Sequence, residues 1–173
     1  KLLTSNTCTA VHLAWGDLLH DDHGSLDHRI HFKSQVKLFE QIGRMIAYMD
    51  MLPGSEGGSL LDETLVMVSS EFNRNWPKSG FNDHWVWDSV AFAGGQNLHG
   101  NRMVGGFDTE GKSITSPGFA GVPVDIIDEN GFKKNRLLKR MDITHTALHL
   151  MGTPNTFLPG GPGQIVGVQK GVS

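Results

Sequence analysis

The sequence holds a single cysteine, Cys8, which excludes an internal disulfide framework and a cysteine-based zinc finger. No apolar run approaches the roughly 18 residues that a membrane-spanning helix needs. With 38% apolar residues overall, an integral membrane segment is therefore not expected. There is no excess of basic charge either: 15 Lys and Arg stand against 18 Asp and Glu, for a net charge of −3. The one basic cluster, Lys133-Lys134 to Lys139-Arg140, reads as a solvated face, so electrostatics make no case for a nucleic-acid partner. A Gly-x-Ser-x-Gly elbow is missing, which counts against a serine hydrolase of the α/β-hydrolase type. A basic n-region with an apolar h-region is missing too, and the first residue is Lys1. The expectation is a single domain whose upstream part has been removed.

Glycine and histidine, by contrast, are plentiful. Glycine accounts for 22 of 173 residues, nearly twice the usual ~7%, and without a repeat this implies many sharp turns and shaped loops. Four of the nine histidines, His20, His23, His28 and His31, fall in one short polar stretch. Cys8 to Trp15 reads as a buried strand ending at Gly16-Asp17. Phe32, Val36, Phe39, Ile42, Ile46 and Met49 recur at spacings of three and four, which predicts an amphipathic helix over 28–51 that ends at Pro53-Gly54.

The run Thr64–Ser69 is continuously apolar and β-branched, the pattern of a central strand of a parallel sheet covered on both faces. A further strand is expected at Ser89–Ala93, short β-like runs near Arg102–Val104 and Val122–Ile127, and a helix over Ile143–Met151 capped by Asp142 and stopped by Gly152 and Pro154. The tail from Pro159 reads as irregular. This order of elements predicts an α/β fold with a mostly parallel sheet and flanking helices, its chemistry beyond the carboxyl ends of the strands.

Three groups of residues would meet at that rim: His20-Asp21-Asp22-His23-Gly24, Glu71 to Arg74, and Asn82-Asp83-His84-Trp85. Imidazole and carboxylate suit zinc, manganese or iron, while oxygen-rich sets suit calcium or magnesium, so Asp21, His23, Glu71 and His84 form a candidate ligand set for one metal. No short spaced motif such as His-Glu-x-x-His accompanies them.

Asp62–Arg74 (Asp-Glu-Thr-Leu-Val-Met-Val-Ser-Ser-Glu-Phe-Asn-Arg), followed by Asn82-Asp83-His84-Trp85 and Ala93-Gly94-Gly95, resembles an uncharacterised family of exported bacterial proteins distantly related to sulfatases and alkaline phosphatases. Asp21-Asp22-His23-Gly24 is similar to that family's Asp-Thr-His-Gly motif. Asp142–Gly152 is similar to its closing helix, so the resemblance runs in consistent order over 17–152. It implies an alkaline-phosphatase-like α/β fold of which this chain is the C-terminal part. It also implies a metal held by Asp21, His23 and His84, with Asp17 the rival of Asp21. Zinc is the first choice, with calcium or manganese as alternatives.

Glu71-Phe72 stands where the superfamily has an Asp-His pair, and Phe72 cannot ligate. Glu71 is then a further ligand or the group that orients a metal-bound water, Arg74 the anion contact, and Asp83 a partner that orients a ligand imidazole. The implied activity is hydrolysis of small phosphate or sulfate esters by an exported protein, periplasmic or at the cell surface. Its nucleophile would lie on an N-terminal part of the same protein. The competing reading is a non-catalytic protein that keeps the fold and binds a metal or ligand.

Plainer readings stand beside these. His28 and His31 suit a solvated loop leading into the helix, and Asp83-His84 an ordinary structural hydrogen bond. Arg74 suits a pairing with a loop carboxylate, and Trp76, Trp85 and Trp87 suit packing against the sheet. His145 and His149 are four apart on one helix, a spacing able to ligate, but in a helix that covers a sheet they read as core or surface residues.

Overall fold

A computed structural model describes residues 28–69, 73–74, 84–85, 89–108, 120–128, 130–152 and 163–171. In chain order the elements are α1 (His28–Met51), β1 (Leu65–Val68), β2 (Asn73–Arg74), β3 (His84–Trp85), β4 (Ala91–Gly94), β5 (Phe107–Asp108), β6 (Ala120–Gly121), β7 (Val124–Ile127), β8 (Lys133–Arg136), α2 (Arg140–Leu150) and β9 (Gln164–Ile165). β1 pairs with β4, β2 with β3 and β5 with β6, while β8, β7 and β9 form a three-stranded sheet in that order.

The pairings of β1 with β4, β5 with β6, and β7 with both β8 and β9 are all antiparallel. The expected fold, a mostly parallel α/β sheet with flanking helices, is thereby overturned. The misleading signal was the apolar run at β1. It is not a central strand covered on both faces: Met67 is 51% exposed, and the strand runs Leu65↔Gly94 to Val68↔Ala91 against β4. A parallel partner would need a crossover, usually helical, and among the described residues no helix lies between β1 and β4.

The chain divides into two units, Lys1–Glu63 with Arg74–His84, and Thr64–Asn73 with Trp85–Ser173. In the first, α1 spans the predicted residues, but its buried stripe is displaced. Ile42 and Met49 are buried and Leu38, Met45 and Ile46 half-buried, whereas Phe32, Val36 and Phe39 are exposed. The seam thus follows 38, 42, 45 and 49, alternating spacings of four and three. After the helix, the Leu60 N–H donates to the Leu52 carbonyl (2.8 Å). The Glu63 carboxylate accepts from the N–H groups of Ser55 and Glu56 and from the Ser55 hydroxyl, at 2.7–2.8 Å. Those three donors hold its carboxyl below the usual carboxylate range.

The second unit is built around β7. Val124 and Ile126 alternate inward along it and, with Ile165 of β9, form the buried core, against which Val104, Leu138, Ile143 and Val168 pack. β7 lies between β8 (Val124↔Arg136) and β9 (Ile126↔Ile165), so the region from Pro159, expected to be irregular, supplies a core strand. Arg102–Val104 is not a strand, and the strands expected at Ser89–Ala93 and Val122–Ile127 are Ala91–Gly94 and Val124–Ile127.

Helix α2 begins at Arg140, a turn earlier than expected, which puts Asp142 inside its first turn. The residue still caps, by reaching back: its carboxylate accepts the Lys139 N–H at 2.7 Å, satisfying a donor that the helix itself leaves free. At the other end Gly152 takes φ +71°, a left-handed turn that glycine adopts without strain. Its N–H donates to the His149 carbonyl at 2.9 Å.

Candidate functional site

Of the residues to which the sequence assigns chemistry, Asp21, His23, Glu71 and Asp83 lie outside the described residues, as do the rival Asp17 and the segment Cys8–Trp15. Arg74 and His84 lie within them. Arg74 ends β2, His84 begins β3, and the two strands pair, so the proposed anion contact and the proposed imidazole ligand sit on neighbouring strands, about 4.8 Å apart by ordinary sheet geometry. These short strands come from sequence positions ten residues apart. Among the described residues no group of three or more His, Cys, Asp or Glu side chains is gathered.

A second concentration of polar chemistry lies where β8, α2 and β9 meet, and the sequence pointed to it only faintly. Arg136 leaves β8 and forks onto Asp142, Nη1 to Oδ2 and Nη2 to Oδ1, both at 2.7 Å. The Asp142 side chain is 2% exposed and that of Arg136 34%. Burial alone would raise the Asp142 carboxyl pKa. The Arg136 guanidinium and the Lys139 N–H outweigh it and hold the carboxyl below its ordinary range.

Gly163 closes over this pair. A Cβ there would run into Asp142 Oδ1 and lie 2.8 Å from Ile126 Cγ2, so only glycine leaves room for the ion pair. The buried Thr146 hydroxyl donates to the Asp142 carbonyl (2.7 Å) and accepts the Ile165 N–H (3.0 Å), tying helix to strand. The basic cluster read as a solvated face is therefore only partly so: Lys133, Lys134 and Lys139 are exposed, but Arg136 is half-buried. The available signal was an arginine on a strand just ahead of an aspartate in a helical first turn.

The same helix carries His145 and His149. His145 is wholly buried, and neither ring nitrogen has a hydrogen-bond partner among the described residues. His149 is half-buried, its Nε2 against the Gln164 carboxamide. Burial first, and then the neighbouring His145, push its pKa below the ordinary histidine value, which favours the neutral imidazole.

No protein-family model, curated protein or solved structure matches the chain. Its chemistry is accordingly argued from its own residues. Asp142 has both oxygens committed to Arg136 and Lys139, so it serves the fold. The groups suited to a ligand are those of the β2–β3 region and the two imidazoles of α2.

Proposed function

We propose that the chain contributes a divalent-metal site to a hydrolase of small phosphate or sulfate esters, with Asp21, His23, Glu71 and His84 as ligands. The observation that supports this reading is the pairing of β2 with β3, which puts Arg74 and His84 on neighbouring strands. An anion contact next to a ligand imidazole is the arrangement that holding an ester at a cation requires. Two imidazoles and two carboxylates suit zinc first, with manganese or calcium as alternatives. When bound, the metal supplies Lewis acidity toward the ester oxygen. Arg74 forks onto the remaining anionic oxygens and fixes the orientation of the group. Glu71 ligates or directs a proton at the attacking position, and Asp83 locks a ligand imidazole in one tautomer. By the resemblance that motivates this reading, the nucleophile comes from an N-terminal part of the same protein, which is exported to the periplasm or cell surface.

A second reading, metal or ligand binding without catalysis, is favoured by Phe72, which occupies a ligand position and cannot ligate. One experiment separates the two: elemental analysis of wild type, His84→Ala and Glu71→Ala after dialysis, followed by assays of the full-length parent, which would carry the nucleophile, with aryl phosphate and aryl sulfate esters. Metal lost on both substitutions together with ester turnover that falls in Arg74→Ala supports the hydrolase. Metal lost on both without turnover, whatever divalent ion is supplied, favours the binding protein. Metal content indifferent to both substitutions overturns the shared site.

A further inference from the structure

His145 has no exposed surface, and neither of its ring nitrogens has a hydrogen-bond partner among the described residues. A buried polar atom in that condition carries an uncompensated desolvation cost, so native proteins seldom keep one unless water, an ion or a chemical task accounts for it. Asp142 and Thr146, equally buried on the same helix, have their oxygens engaged, so His145 stands apart from its buried neighbours on α2.

One turn on, His149 lies on the same side of α2, because residues four apart on a helix are neighbours. Two imidazoles at this spacing can share one ion, as helical metal sites elsewhere do. Gln164 supplies the remaining feature. It holds His149 at Nε2, and since the oxygen and nitrogen of a carboxamide exchange by a simple flip, its Oε1 can accept an Nε2–H. A ligating histidine is characteristically anchored in this way through its non-ligating nitrogen, which leaves Nδ1 of His149 as the donor.

We propose that His145 and His149 of α2 form a second divalent transition-metal site, separate from the one built on Asp21, His23, Glu71 and His84, with Gln164 of β9 as the positioning residue. The site takes zinc or cobalt, borderline ions that imidazole nitrogen suits, with the remaining coordination positions filled by water. A bound ion would bridge two successive turns of α2, with Gln164 holding His149 against β9, and so raise the stability of this unit.

The test uses the full 173-residue chain carrying His84→Ala, so that the first site is silenced. Co2+ and Zn2+ are titrated by calorimetry, with the visible ligand-field bands of Co2+ and the thermal midpoint as further readouts. One equivalent is expected to bind, with a rise in Tm of about 5–10 °C at saturating metal. His149→Ala, at a half-buried position, should weaken binding at least 100-fold and abolish the rise. Gln164→Leu should weaken it about 10-fold or more while leaving the cobalt bands in place. Cobalt binding that His149→Ala and His145→Gln leave unchanged, or a wild-type chain whose His149-dependent equivalent is absent, overturns the site. The two metal proposals fail separately, since one equivalent is sensitive to His84 and the other to His149.

Discussion

Replacing Asp142 by alanine tests the ion pair at the base of α2 most directly. The substitution removes two charge-assisted hydrogen bonds from Arg136 and one from the Lys139 N–H, all at 2.7 Å. Hydrogen bonds to charged groups contribute about 1.5–3 kcal/mol each, so three would nominally sum to about 4.5–9 kcal/mol. Two considerations bring that down. Arg136 is a third exposed, so solvent screens the pair and the freed guanidinium can turn to water rather than remain stranded. The lost cap is worth about 1 kcal/mol by itself. A total near 3 kcal/mol follows, equivalent to a fall in Tm of roughly 6–12 °C for a chain of this size.

Urea unfolding followed by circular dichroism measures it, with Arg136→Met and the double variant completing a cycle whose coupling should be about 1–2 kcal/mol. A cost for Asp142→Ala below about 1 kcal/mol, or strict additivity of the two substitutions, would refute the reasoning. The pH dependence has a definite sign. Because the folded carboxyl titrates below its unfolded value, the unfolded chain binds the proton more readily. The stabilisation is therefore complete above about pH 4, the unfolded value, and is lost as pH falls through the folded one. Asp142→Ala should flatten that acid limb.

Other outcomes follow from the same geometry. Thr146→Val keeps the volume but leaves the buried Ile165 N–H without its acceptor, a loss of about 1–3 kcal/mol in chemical denaturation. Gly163→Ala drives a methyl group into Asp142 Oδ1 and Ile126 Cγ2 and should cost about 1–3 kcal/mol or more; a neutral result would show that the β9 approach yields easily. Along α1, Ile42→Ala should cost about 2–4 kcal/mol, whereas Phe39→Ser should lie within about 0.5 kcal/mol, since Ile42 is buried and Phe39 is 56% exposed. Equal costs would restore the stripe that simple periodicity suggests.

Periodicity alone placed α1 over its observed residues, because hydrophobic spacing of three and four is a local property. Which stripe is buried was not local: Phe39 and Leu38 are both apolar, and only the surroundings decide between them. The run at β1 named a strand correctly but not its direction, since an apolar β-branched sequence says that side chains pack and not which way the partner runs. Asp142 was legible as a cap, yet its role as a partner of Arg136 depends on β8 preceding α2 in space as well as in sequence. His145 and His149 were legible as a ligating spacing. What the sequence could not supply was the burial of His145 without a partner, which is a fact of packing. Arg74 and His84 were named from motif order, and that β2 and β3 are neighbours is a matter of strand pairing, which no motif states.

The three-stranded sheet has a consequence for the order in which this unit can form during synthesis. β7 can pair with β8 as soon as Arg136 is available, but its other edge waits for Ile165. The partner Ile165 lies roughly 40 residues beyond Ile126, so closing that edge carries a larger entropic cost than the local hairpin does. Until β9 docks, Ile126 lacks one wall and the Thr146 hydroxyl lacks its donor. A nascent chain halted before residue 164 would thus present an unpaired strand edge beside an open apolar face, the condition in which a growing polypeptide most needs protection from its neighbours.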